Sequence, residues 1–120
     1  MGMSYKIDQE RRLVITRGWG ELTTRELVEV MSQILLDPRF DPSYRSLGDL
    51  RDVTSIAVDT MATAQTAASP LFADGARRAI VATSDVAYGM ARMFAAYSER
   101  AGHEVCVFRE MAPAEAWLGL

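Results

Sequence analysis

The chain is short of the residues that usually carry chemistry. Its 120 residues hold one cysteine and one histidine. A lone Cys106 excludes an internal disulfide and any metal site built from several cysteines. It lies in the apolar run Val105-Cys106-Val107-Phe108 and reads as a buried small hydrophobe. His103, in Gly102-His103-Glu104, has no second histidine or cysteine at metal-ligand spacing and reads as an exposed turn residue. No Gly-x-Ser-x-Gly elbow, phosphate-binding loop or dinucleotide fingerprint occurs. These absences point away from an enzyme and imply no metal or organic cofactor.

Charge is missing from one stretch in particular. From Val53 to Ala76 there is no basic residue, and the only acids are Asp59 and Asp74. Elsewhere charge is dense and evenly mixed: 13 basic against 16 acidic residues, for a net charge of −3. No basic stripe suits nucleic acid, and no polybasic cluster suits an anionic membrane surface. The low-charge stretch contains Thr, Gln, Ser, Asp and Pro70, so it is not a membrane span. Met1 to Lys6 lacks the apolar segment of a signal peptide, which makes the cytoplasm the expected compartment.

The pattern that remains is that of a single domain over residues 1–120, long enough to bury a core without disulfides or metals. Tyr5–Asp8 and Leu13–Arg17 read as two strands around the charged turn Gln9–Arg12. Thr23-Thr24-Arg25-Glu26 is a capping box, with Leu22 and Leu27 placed as a hydrophobic staple. The helix it opens carries Leu27, Val30, Met31, Ile34 and Leu35 on one face and stops at Asp37-Pro38. Ser46–Leu50 reads as a third strand running into a polar loop, Arg51–Ser55. A weakly apolar helix over Val58–Ser69 follows, then a strand at Arg78–Ala82, short and continuously apolar as expected of a strand covered on both faces. Val86, Met90, Met93, Phe94 and Tyr97 mark the core stripe of a long helix ending near Gly102. Glu104–Phe108 is a last strand, and Pro113 opens a short closing helix. Strands alternating with helices imply an α/β fold: an open mixed sheet of about five strands, an N-terminal hairpin plus parallel strands, with about four helices packed on it.

Two sets of residues are candidates for function. Parallel α/β sheets bind ligands at the carboxyl ends of their strands. Those ends carry Asp52, Thr54 and Ser55 after the third strand, Thr83, Ser84 and Asp85 after the fourth, and Arg109 after the fifth. Beside two helix N-termini they suit a small anion, although Ser, Thr and Asp are also what caps and turns require. The second set is the uncharged helix surface: Val58, Asp59, Met61, Ala64, Gln65 and Ala68. Its small residues permit close approach of a protein partner or of a second copy of the chain. A Met/aromatic cluster on the long helix is a further candidate, for a small ligand or lipid.

The segment Asp49-Leu50-Arg51-Asp52-Val53-Thr54 followed by a helix resembles the core of STAS domains, the fold of anti-sigma-factor antagonists and sulfate-transporter tails. The block from Arg78 to Leu118 resembles the bacterial SpoIIAA-like branch of the STAS/CRAL-TRIO grouping. The resemblance covers nearly the whole chain and implies a regulatory or protein-interaction module. STAS antagonists carry Asp-Ser-Ser-Gly at the start of the helix, with a serine phosphorylated by a partner kinase. Here the stretch reads Ala57-Val58-Asp59-Thr60, and Val58 falls where that serine would be. The CRAL-TRIO side of the resemblance implies a lipid-sized cavity in relatives, which at this length would take much of the core.

Overall fold

Two segments rich in β-branched and aromatic residues flank a charged turn and open the fold. They form β1 (Met3–Asp8) and β2 (Leu13–Thr23), an antiparallel pair in register from Met3↔Gly18 to Asp8↔Leu13. The Arg11 N–H donates to the Asp8 carboxylate at 3.0 Å, and Arg12 takes the left-handed conformation that completes the turn. The computed structural model describes residues 2–59, 61, 65 and 71–120.

Helix α1 (Thr24–Leu36) starts where its capping motif places it. The Thr23 hydroxyl accepts the Glu26 amide at 3.2 Å. The Glu26 carboxylate reaches back to the Thr23 hydroxyl at 3.1 Å and to the Gly2 N–H, tying the chain start to the helix. Leu27, Val30 and Ile34 are buried, but Leu35 is 62 % exposed. It lies one position past Ile34, more than a quarter-turn round the helix.

β3 (Arg45–Ala57) is longer than expected: Arg51–Ser55 is strand, not loop. β2 likewise continues past Gly18, and the two stay parallel out to Thr23↔Ala57, with irregularities between Arg17 and Trp19 and between Gly20 and Glu21. The physical reason is the edge. β4 (Arg77–Val81) meets β3 only along Ser46–Asp49, so the far half of β3 has one neighbour and carries the polar side chains of an exposed strand. Helix α2 (Asp85–Arg100) follows, capped by the Ser84 hydroxyl accepting from the Ala87 amide at 3.1 Å. Its buried stripe is Ala87, Ala91, Phe94 and Ser98; Val86 is exposed, and Met90, Met93 and Tyr97 only flank the stripe. Small side chains face the sheet because they let the helix approach it closely. β5 (Glu104–Phe108) and α3 (Met111–Leu118) close the chain. Met61 and Gln65 are also helical, within the segment where a fourth helix is expected.

The sheet has order β1-β2-β3-β4-β5, antiparallel between the first two strands and parallel thereafter. Alternation along the strands divides the core into two faces. On the near face, α1 packs on Ile7 and Val14, while Ala87 of α2 packs on Leu50 and Val53. On the far face, α3 covers Leu13, Leu47, Ala79 and Val81 with Ala114 and Leu118. None of the described helices is long and apolar enough to cross a membrane.

Candidate ligand-binding site

The strand-end residues come together only in part, and those that do are occupied by the fold. Arg109 donates to the Thr83 carbonyl at 2.8 Å and to the Asp85 carboxylate at 3.0 Å, with its guanidinium 4.0 Å from the centre of the Tyr88 ring. The Thr83 hydroxyl donates to the Arg51 carbonyl at 3.1 Å, and Ser84 is used as a helix cap. Asp52 pairs with Arg17 at 2.9 Å, and the Ser55 hydroxyl lies 3.5 Å from Glu21. Thr54 is exposed on β3. Asp52, Thr54 and Ser55 therefore belong to a strand pair rather than to a loop at the mouth of a crevice.

Of the uncharged surface, Met61 is 71 % exposed and Gln65 is exposed; Ala64 and Ala68 lie outside the described residues. Val58 is half-buried against the cluster of Leu50, Val53 and Ala87. The Asp59 amide donates to the Thr24 hydroxyl at 3.3 Å, joining this segment to the first turn of α1. Two other expectations are corrected. His103 is buried, not exposed, with its amide bonded to the Ser98 carbonyl at 2.9 Å and its Nδ1 lacking a partner among the described residues. Cys106 is only half-buried, because β5 is an edge strand.

The site with chemical character lies between the sheet and the near-face helices. A cavity of about 70 Å³ is walled by apolar side chains, among them Leu27 and Met31 of α1 and Met90 and Phe94 of α2. Its floor is the sheet. Register places Val14, Ser46, Arg78 and Val105 in one row across four strands, with Thr16, Gly48 and Ile80 in a second. Thr16, Ser46 and Arg78 are the polar side chains lining the cavity. At Gly48 an added Cβ would come within 3.3 Å of the Thr16 hydroxyl, so the missing side chain helps keep the floor open.

Arg78 is 7 % exposed. Its guanidinium carbon sits 4.4 Å from the centre of the Phe72 ring and 5.4 Å from that of Phe94. Such contacts each recover on the order of 1–2 kcal/mol for a desolvated cation. They do not replace an acceptor. Among the described residues Nε has no hydrogen-bond partner and no carboxylate pairs with this side chain. Burial alone lowers its pKa to about 10, which leaves it a cation at neutral pH. A buried charge ordinarily has a partner in the protein; this one instead belongs to a residue that lines a cavity. The residue is absent from both candidate sets above, yet a signal was there. An arginine inside a strand expected to be covered on both faces is an anomaly of the sequence itself.

No protein-family model matches the chain, and no curated protein matches it. Among solved structures it is similar to an uncharacterized protein of the DUF3478 family with a SpoIIAA-like fold from Shewanella loihica PV-4. The two share 15 % sequence identity and superpose with a TM-score of 0.64, over 98 % of this chain and 94 % of that one. An identity that low speaks for architecture rather than activity. Hairpin, parallel strands and near-face helices together give this chain the SpoIIAA-like α/β fold.

Proposed function

We propose that this chain is a non-catalytic STAS-like module that takes up a small molecule in the cavity between its sheet and helices α1 and α2. The observation that carries this reading is the pairing of an apolar cavity with an unpaired buried cation on its floor. One cavity residue also borders the surface segment read as a contact region. Leu50 lines the cavity and belongs to the cluster on which Val58 packs. Occupancy is thereby linked through one side chain to the segment where STAS antagonists keep their phosphoserine. With Val58 at that position, a ligand rather than a phosphoryl group supplies the signal, and a protein partner or a second copy of the chain receives it.

The reading is tested by heteronuclear NMR titration of the full chain with two small probes, 1-butanol and sodium butyrate. Saturable shifts confined to cavity residues such as Met31, Ser46 and Phe94 are expected. Val105→Phe, which puts a larger side chain into the wall from a half-buried edge-strand position, should abolish them. Shifts from neither probe, or shifts unaffected by the filled cavity, would remove the basis of the proposal.

A further inference from the structure

Resting on that reading, the geometry points to a ligand class: a monocarboxylate with a compact apolar tail, its carboxylate held by Arg78 and the hydroxyls of Ser46 and Thr16. Three observations converge on it. The first is charge. Among the described residues one guanidinium is the only cation lining the cavity, so it balances one negative charge. A phosphoryl group brings roughly 1.5 to 2 negative charges and three strong acceptor oxygens. Placed here it would leave charge uncompensated against apolar walls, where desolvation is most costly.

The second is the shape of the donor set. Phe72 and Phe94 pack against the guanidinium, and its Nε has no acceptor. Nε and the adjacent amino group form the planar fork that a carboxylate meets with two parallel hydrogen bonds. Ser46 is the register partner of Arg78 on the neighbouring strand, and Thr16 lies one row away on the next. Two hydroxyls and a fork are enough to serve both oxygens of a carboxylate.

The third is the wall. A cavity of about 70 Å³ has room for more than a water molecule, whose share of liquid volume is about 30 Å³. Above the floor the lining is Leu, Ile, Met and Phe, which offers an alkyl or small aryl tail a dry surface but offers a sugar or nucleotide no partners. The methionines Met31 and Met90 let the wall adjust to tails of somewhat different shape.

The test compares isosteres on the wild-type chain. Butyrate and hexanoate are titrated against butyramide, 1-butanol and inorganic phosphate, with NMR following the cavity amides and the Arg78 Nε–H resonance. The carboxylates should bind about tenfold or more tightly than the neutral isosteres, the scale of a hydrogen bond to a charged group, and should move the Nε–H signal. In Arg78→Met the preference should vanish while 1-butanol still enters; Ser46→Ala, a milder change, should weaken butyrate and leave 1-butanol unaltered. Butyramide or 1-butanol binding as tightly as butyrate would overturn the carboxylate assignment while leaving the cavity as a binding site. Phosphate outcompeting butyrate would overturn it as well. If none of the probes perturbs the cavity residues, the cavity reading fails with it.

Discussion

Arg77 and Arg78 are neighbours in one strand and meet opposite surroundings. Arg77 points to the far face, half in water. It donates to the Trp117 carbonyl at 2.7 Å, lies 5.2 Å from the centre of the Trp117 ring, and has Glu104 at 4.0 Å. Arg45 joins it by donating to the Leu118 carbonyl, so two arginines close the C-terminus of α3, where carbonyls lack helical partners and the dipole favours cations. Arg78 points to the near face, is buried, and has two aromatic rings but, among the described residues, no acceptor for its Nε. On the far face Arg45 and Arg77 therefore both serve a helix end, and Arg77 has a carboxylate nearby as well. The near face is a structure with something left over. What a fold leaves unsatisfied inside its core is the better guide to where a second molecule arrives.

The contrast should be measurable first in packing. Leu13 is fully buried in the far-face cluster with Leu47, Ala79 and Leu118. Leu13→Ala should cost about 4 kcal/mol in urea unfolding. Leu27 lines the cavity, so part of its surface already lacks partner atoms, and Leu27→Ala should cost about 2 kcal/mol. Equal costs would mean that the near face is packed as tightly as the far one, and the comparison would lose its basis.

The next effect is smaller but differs in sign between adjacent residues. Replacing a buried, unpaired charge with an apolar side chain of similar length is often neutral or stabilising, by about 1–4 kcal/mol. Arg78→Met should therefore stabilise the ligand-free chain. Arg77→Met removes a half-exposed cation from a helix end and a ring face, and should destabilise it by about 1 kcal/mol or less. A substantial loss of stability in Arg78→Met would instead make the arginine a structural strut held between Phe72 and Phe94.

Much of this architecture was legible from local signals. The capping box at Thr23–Glu26, the stop at Asp37-Pro38 and the left-handed Gly102 all sit where backbone chemistry demands them. The mainly parallel sheet followed from the alternation of strands and helices, and the SpoIIAA-like fold from the resemblance carried by Arg78–Leu118. Errors arose where a residue's surroundings come from distant chain. Arg51–Ser55 looks like a loop because its polarity reflects the lack of a neighbouring strand, a fact set by where β4 stops. The stripe of α2 was misplaced because large apolar residues were favoured over Ala87, Ala91 and Ser98, whose smallness is what suits them to the sheet. Only the polar floor of the candidate site is hidden, for the same reason; Phe72, Met90 and Phe94 of its lining belong to the Met/aromatic cluster. Ser46, Thr16 and Arg78 lie on three strands and meet only through register.

The smallest effect concerns a charge that the near face does satisfy. Asp37 ends α1 and accepts from the Arg39 side chain at 2.8 and 3.0 Å, from the Arg39 amide at 2.9 Å, and from the Tyr5 hydroxyl at 2.8 Å. The Arg39 hydrogen bonds come first among the causes that hold its carboxyl well below the usual carboxylate range, while the same carboxylate raises the Tyr5 phenol. A depressed acid stabilises the fold fully above its unfolded pKa, about 3.9, and loses that contribution as pH falls toward the folded value. Stability should thus decline below about pH 4, and Asp37→Asn should flatten that decline. Asp8, Asp41 and Asp49, held low by Arg11, Ser43 and Arg51, keep part of the slope. Arg78 behaves in the opposite way. It is charged in both folded and unfolded chains across this range, so Arg78→Met should shift the curve of stability against pH without changing its acid limb. Its own influence should appear only toward pH 10, where the folded chain begins to release the proton and the burden of an unpaired cation diminishes. Urea unfolding of wild type, Asp37→Asn and Arg78→Met from acid to alkaline pH would separate the two. An acid limb altered by Arg78→Met would show that the cation is coupled to a carboxylate after all.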